Sequence, residues 1–428
     1  MSTPMTALAT GTADLEPLSR NRAFQLLWLG EGVSVLGNAT SIVLLPLLAV
    51  IAFDAGPGFM GALATAAWLP WLVIGLPAGA WVDGLPARGV MIAADLVSAA
   101  AYASVPLAWW LDVLTLGQLL VVALIGGVAT VFFRTAYAVF LPQVVAREHL
   151  EPANGRLFGT ESAMQIAGPG VGGMLAQMFS AAFGVLLDAA SFLVSAACLW
   201  RIRPRSEPPA ITAPAVPLRT RIGEGVAFVR RDRYLTWFTA IGGLANLGHT
   251  GMGALLVLFL VRDLDLDPSG IGLVMALGSS GGLVGAIFAS RVSRRLGSGY
   301  ASTLFLLGAG MPCLLVPLAS PGSGVVLVPL GLFLVGMFVV AGNVVRGAWR
   351  QRYVPARLMG RVITTTQLVN FGTMPVAGVL AGWLGTHLGV RETIGVMAVV
   401  ILVASLLVLA SPLRGLRHLP EPEFPDDC

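Results

Sequence analysis

Lysine is missing from this chain altogether, acidic and basic residues are scarce, and cysteine is nearly absent; each shortage removes a class of protein. Charged side chains occupy 11% of the 428 positions, where a soluble domain carries them at roughly a quarter. Hydrophobic residues reach 56% and the mean hydropathy is +0.83, so water is not the main solvent. The cysteines Cys198, Cys313 and Cys428 are too few and too scattered for a disulfide framework or a metal site, and no metal or cofactor is expected. No P-loop glycine-lysine pattern, His-Glu-x-x-His pair or serine nucleophile elbow occurs, which argues against an enzyme. The amino-terminal stretch holds Asp14 and Glu16 without an apolar run, so no cleavable secretory signal is expected and the first long segment should stay in the mature protein.

What the chain does hold is a series of apolar runs from Phe24 to Ala410, each ended by a short polar or Gly/Pro-marked break. Each run is about twenty residues, enough to cross a hydrocarbon core of roughly 30 Å as a helix, and none shows the alternation of a membrane barrel. The predicted spans of the first half are Phe24 to Phe53, Met60 to Val82, Val90 to Leu111, Thr115 to Val139, Leu157 to Phe179 and Ala182 to Trp200. Those of the second are Leu235 to Val261, Gly270 to Ser290, Ala301 to Ala319, Val325 to Val345, Ile363 to Leu384 and Glu392 to Ala410. The fold class is therefore an all-α membrane protein of twelve transmembrane helices.

Every one of the 26 basic residues is an arginine. With the amino terminus inside, Arg20, Arg22, Arg88, Arg147, Arg156, the run Arg201 to Arg233, Arg291 to Arg295, Arg346 to Arg361, Arg414 and Arg417 fall on one side, and only Arg262 and Arg391 on the other. That is the positive-inside pattern with both termini cytoplasmic, and it accounts for the net charge of +4 without a nucleic-acid partner. Missing lysine beside abundant Ala, Gly and Arg is the composition of a high-GC bacterium, which places the chain in a bacterial inner membrane. No basic cluster is expected deep in the second half, which argues against a strongly anionic substrate.

Internal repetition divides the chain. Gly75, Gly79 and Arg88 recur as Gly281, Gly285 and Arg294 after 206 positions, and Gly155-Arg156 recurs as Gly360-Arg361 after 205. Between the halves, Pro204, Pro208, Pro209, Pro214 and Pro217 mark an extended linker. Beyond them Ile222, Val226 and Val229 recur at helical spacing among Arg219, Arg221, Arg230 and Arg231, the pattern of an amphipathic helix on the inner membrane face or of a solvated linker helix. The expected organisation is a cytoplasmic segment 1–21, a six-helix bundle 22–200, a linker 201–233, a second bundle 234–411 and a tail 412–428, the two bundles pseudo-symmetric around a midplane cavity.

Two segments carry a family resemblance. Gly79-Ala-Trp-Val-Asp83-Gly-Leu-Pro-Ala-Arg88 resembles the loop motif of the major facilitator superfamily, with Gly84 and Ala87 at two of its usual basic positions. Gly168-Pro169-Gly170-Val171-Gly172-Gly173 resembles the antiporter motif of that superfamily's proton-linked drug exporters, with Met164 where another glycine is usual. The stretches Arg147 to Arg156 and Leu187 to Leu193 are similar to its enterobactin-exporter-like and macrolide-efflux-like branch. Physically, Gly79 would let two helices approach, and Asp83 could accept from a helix amino terminus or an arginine, latching the inner side with Arg88 and Arg134. Proline and bare glycine faces let the Gly168 to Gly173 segment bend and pack tightly, sealing the outer half against proton leakage.

Charged groups inside a span are functional hypotheses by default, and here they are Glu31, Asp95, Arg134, Glu161 and Asp188. Glu31 and Glu161 are the best placed to load a proton on one side and release it on the other, with Asp188 a third candidate, while a structural hydrogen-bonded acid near a helix end is the alternative for both Asp188 and Asp95. Static pairing of Glu31 and Glu161 with Arg134 is the plainer alternative. Asn38, Trp68, Gln165, Asn246, Asn343, Gln367 and Asn370 are candidate substrate-binding residues, with His249 and Trp71 beside them; helix-to-helix hydrogen bonding is the bland reading of each polar one, and interfacial anchoring or core packing that of the two tryptophans. The expected function is export of a small amphipathic molecule, such as a drug, siderophore or secondary metabolite, by proton antiport with alternating access. Its partners are that substrate, protons and membrane lipid, and the expected state is a monomer. An importer or facilitator of a small organic solute would share the fold.

Overall fold

A computed structural model describes residues 17–82, 84–203 and 218–421, and in these it is helical without strands. Asp83, the five linker prolines and Cys428 lie outside the described residues. The first half comprises α1 Arg22–Phe53, α2 Pro57–Val73, α3 Gly75–Val82, α4 Ala87–Trp110, α5 Leu116–Val144, α6 Leu150–Met178 and α7 Ala181–Arg201. After the linker helix α8 Leu218–Arg231 come α9 Arg233–Arg262, α10 Pro268–Leu296, α11 Ser298–Gly310, α12 Leu327–Tyr353, α13 Ala356–Leu388 and α14 Val390–Leu406. Twelve spans result, because α2 and α3 together form one. Pro77 has no N–H for the Val73 carbonyl and its ring crowds that oxygen, so the predicted single helix breaks at Ile74.

Local chemistry sets the ends. Asn21, Thr115, Ser180, Asp232 and Asp267 cap α1, α5, α7, α9 and α10, each accepting from a backbone N–H of the first turn. Asn21 also donates to the Val144 carbonyl at 3.0 Å, tying the start of α1 to the end of α5. Large apolar side chains face outward, Trp200 at 74%, Trp110 at 72% and Met311 at 69% exposure, as a surface solvated by lipid requires and one solvated by water forbids.

Packing repeats across the halves. Within the first, α1 packs on α6 and α7, α4 on α5 and α7, and α2 on α5. Within the second, α9 packs on α13 and α14, α11 on α12 and α14, and α10 on α12. These pairs map one-to-one, and the two most extensive contacts joining the halves, α2 with α13 and α6 with α10, exchange under the same mapping. That is a pseudo-twofold relation between two six-helix bundles.

Several helices run past their predicted ends. Most consequential is α12, which continues two turns beyond Val345 and carries Arg346 and Arg350 into the second bundle instead of leaving them in an inner loop. The repeat glycines also part ways. Gly281 and Gly285 lie against the backbone of Phe333 and Met337, whereas a Cβ on Gly79 would meet nothing within 4 Å, so the close approach expected there belongs to its counterparts. Helix α8 packs on α13, with Gly225 against Arg361 and Thr365, Glu224 paired to Arg361, and Val229 buried.

Candidate functional site

The two bundles meet at the end of the molecule opposite the start of α1 and the end of α14. On one flank Gly61 of α2 faces Gly378 and Gly382 of α13, and Thr65 donates to the Pro375 carbonyl at 3.2 Å. On the other, Gly173 of α6 faces Gly272 of α10. Residues four apart share a helix face, so the Gly168 to Gly173 segment presents two surfaces. Gly168 and Gly172 lie on Ala39 and Thr40 of α1, inside the bundle, while Pro169 and Gly173 lie on α10, across the interface. Arg262 adds an ion pair and a carbonyl contact at 3.0 Å to Asp54 of the other half. Arg391 is paired to Asp263 at 3.6 Å, so both arginines that depart from the positive-inside pattern have carboxylate partners. Burial raises the Asp263 carboxyl pKa above its ordinary value despite Arg391.

In the first bundle, Arg134 of α5 donates to Glu161 Oε1 of α6 at 2.9 Å and lies 3.4 Å from Glu31 Oε1 of α1. Glu31 is the interior member at 8% side-chain exposure, against 22% for Glu161 and 38% for Arg134. The three open on a cavity of about 220 Å³ that Tyr137, Asn154 and Phe158 help to enclose. One helical turn beyond Glu161, Gln165 donates to the same carboxylate oxygen at 3.5 Å. With both acids ionised the group carries one net negative charge, and with either protonated it is neutral. The same three side chains thus have two electrostatic states that differ by one proton.

The second bundle encloses a larger cavity of about 320 Å³ between α9, α11, α12, α13 and α14. Asn246, Asn343, Gln367 and Asn370, expected from sequence as binding residues, all line it, together with His249. Asn38, Trp68 and Gln165 line neither cavity. Trp68 instead stacks on Phe371 of α13 at 6.0 Å between ring centroids, Trp71 meets the same ring at a tilt at 4.9 Å, and Phe371 itself lines the cavity. Arg346 and Arg350 stand on the wall as well, which corrects the expectation that the second half has no deep basic cluster. Asn343, Arg346 and Arg350 fall at helical spacing on one face of α12, a signal present in the sequence but hidden once the helix is ended at Val345.

Other candidates are dispersed. Asp188 is buried in α7, where Ser191 donates to its Oδ1 at 3.3 Å beside Gly37 of α1, away from the Glu31–Arg134–Glu161 group. Asp95 is buried in α4. Arg88 donates to the Leu199 carbonyl at 2.8 Å and to that of Trp200, closing the end of α7, while its expected partner Asp83 lies outside the described residues. Among the described residues no cluster of His, Cys, Asp and Glu could hold a metal ion.

The family model described as Major Facilitator Superfamily matches residues 27–374. The chain is 27% identical over 420 residues to the multidrug efflux pump Tap of Mycobacterium bovis, covering 95% of this chain and 97% of that one. It is 21% identical over 374 residues to macrolide efflux protein A of Streptococcus pyogenes, covering 86% and 91%. In fold it is similar to the nucleoside transporter NupG, with TM-score 0.73 at 13% identity over 91% of this chain and 98% of that one. A bacterial homologue of the iron transporter ferroportin in an inward-facing state gives TM-score 0.70 at 20% identity, covering 91% and 97%.

Proposed function

Because the chain belongs to the major facilitator superfamily, we propose that this transporter exports a small amphipathic molecule by proton antiport, its bundles 22–200 and 234–411 rocking about the midplane. The observation that carries the reading is the sharing of Arg134 between Glu31 and Glu161 at the edge of a cavity. A static ion pair needs one acid. Two acids on helices α1 and α6, competing for one guanidinium, form a group whose net charge changes with a single proton, and α6 also carries the glycine face that closes against α10. Proton loading at Glu161 would weaken its hold on Arg134 and let α6 move relative to α5, coupling charge to the outer seal. The efflux proteins among its relatives support the outward direction. The asymmetry of the arginines supports a bacterial inner membrane with both termini cytoplasmic, and the glycine contacts would then close the outer end. Asn246, Asn343, Gln367 and Asn370 are the binding residues in this reading, and the monomer is the working unit.

Everted membrane vesicles energised with a proton gradient should accumulate a fluorescent drug-like dye, lose it on addition of an uncoupler, and accumulate at least ten-fold less with Glu161→Gln. Uptake that ignores the proton gradient and follows a sodium gradient refutes the coupling.

A further inference from the structure

The two cavities overlap in the duplicated fold and differ in charge: α1, α5 and α6 line the first, and their counterparts α9, α12 and α13 line the second together with α11 and α14. Arg134 and Arg346 stand at matching depth on the equivalent helices α5 and α12. Glu161 corresponds to Gln367 at the same distance from the start of α13. Glu31, on α1, corresponds to Gly242 at the same distance from the start of α9. Where the first bundle has two carboxylates around its arginine, the second has an amide and a bare backbone, and a larger space.

The arginines of that space lack what their relatives in this chain possess. Arg134, Arg262, Arg361 and Arg391 each have a carboxylate partner. Among the described residues no acid lines the second cavity. Arg346, half-buried, donates to Asn343 Oδ1 at 2.8 Å and lies 6.0 Å over the Phe238 ring. Its side chain folds back over Gly342, where a Cβ would stand 2.8 Å from Nη1, so the chain keeps room for the guanidinium to point into the bundle. Arg350 also lines the cavity, and its Nε is buried without a hydrogen-bond partner. Two half-buried guanidinium groups that no carboxylate neutralises are costly unless an anion completes them. The planar fork of donors fits a carboxylate, sulfonate or phosphate.

We propose that the cavity of the second bundle binds the anionic group of an amphipathic molecule on Arg346 and Arg350, the ligand taking the place held by Glu31 and Glu161 in the first. Phe238, Phe305, Phe338 and Phe371 receive its apolar body, and the buried, unpartnered Asn370 Oδ1 accepts from a hydroxyl or amide beside the charge. The inference rests on the reading of this cavity as the place where the exported molecule binds, and it narrows that molecule to an amphipathic acid.

The test is a pair of dyes of similar shape, anilinonaphthalene sulfonate and neutral N-phenylnaphthylamine, titrated by fluorescence into the full chain in phosphatidylcholine nanodiscs. Arg346→Gln and Arg350→Gln should each weaken the sulfonate about ten-fold or more, with Arg346→Lys intermediate and the neutral dye unchanged. Gln367→Glu, which returns an acid to the arginine, should do the same without removing a cation. On the unaltered protein, benzoate should displace the sulfonate dye where benzyl alcohol does not. Exchanging phosphatidylcholine for phosphatidylglycerol separates the sources of the anion: loss of dye binding marks a lipid headgroup as the occupant, and retention marks a solute. Equal loss of both dyes in the arginine variants, or equal displacement by benzoate and benzyl alcohol, overturns the proposal. Proton-driven dye uptake accompanied by sulfonate binding that ignores Arg346 overturns the anion site and leaves the export reading standing.

Discussion

Closure of the end at which the bundles meet rests on two places where backbone meets backbone, and Gly173→Val tests one of them. A Cβ at Gly173 would stand 2.7 Å from Gly272 Cα and 2.9 Å from its nitrogen, where ordinary contact begins at 3.4 Å. No flexible side chain can yield there, so α6 and α10 must part by about 0.7 Å or more along the seam. Overpacking of this kind costs about 1–3 kcal/mol, and only the closed form bears it, because the seam is open in the alternative state. About 2 kcal/mol moves a two-state equilibrium roughly 30-fold toward the form open at this end. Spin labels on Asp112 and Ser323, exposed in the loops that follow α4 and α11, report the separation of the bundles there. Cys198 and Cys313 are buried, and Cys428→Ser removes the remaining thiol. The distance distribution should shift to longer values in Gly173→Val, while Gly253→Ala, whose added Cβ meets nothing, should keep the parent distribution. Identical distributions in parent and Gly173→Val, at equal thermal stability, would refute the claim that this glycine sets the closed state.

Arg134→Gln leaves Glu31 buried without its cation; since Arg134 is 38% exposed, we expect a loss of about 1–3 kcal/mol, smaller than for a fully buried pair. Thermal unfolding of Arg134→Gln combined with Glu31→Gln should show less destabilisation than Arg134→Gln alone, and strict additivity would deny the pairing. Gly342→Val removes the space over which Arg346 folds and should weaken the sulfonate dye about as much as Arg346→Gln does, measured by the same titration. An unchanged titration would show that the guanidinium reaches the cavity by another path.

Most of the fold was legible from single residues, because lipid imposes one demand on every span. Apolar runs located the twelve helices, and the Gly155 and Gly360 landmarks located the duplication. The ends were less legible. Hydropathy falls where arginine begins, so α12 was ended at Val345, although a helix can carry cations inward when they face a polar cavity. The break at Ile74 needed attention to Pro77 rather than to hydropathy. At the candidate site, the resemblance to the antiporter motif pointed to Gly168 through Gly173, but only the packing showed that the segment divides its two faces between α1 and α10. Asn246, Asn343, Gln367 and Asn370 stand out in the sequence one by one as polar residues in apolar spans, and the structure brings all four to one cavity. Asn38 and Gln165 meet the same criterion and lie elsewhere, since a polar residue in a span can serve a neighbouring helix as readily as a ligand, and Trp68 packs on Phe371.

If the two cavities are diverged copies of one site, the first should be convertible. Removing both acids with Glu31→Gly and Glu161→Gln leaves Arg134 in the condition of Arg346, with an amide beside it and a bare backbone opposite. Burial of a lone guanidinium is unfavourable, and the cavity of about 220 Å³ already open to it would then draw an anion from solution. The double variant should bind a second equivalent of anilinonaphthalene sulfonate, sensitive to Arg134→Gln and indifferent to Arg346→Gln, and should lose proton-driven uptake because its charge no longer changes with a proton. A single equivalent, with the protein folded and monodisperse, would mean that the second cavity owes its character to shape and not to the missing carboxylates. Two equivalents would place the evolutionary difference between the halves in two side chains, one half keeping internal acids for the proton and the other giving up its acids to the cargo.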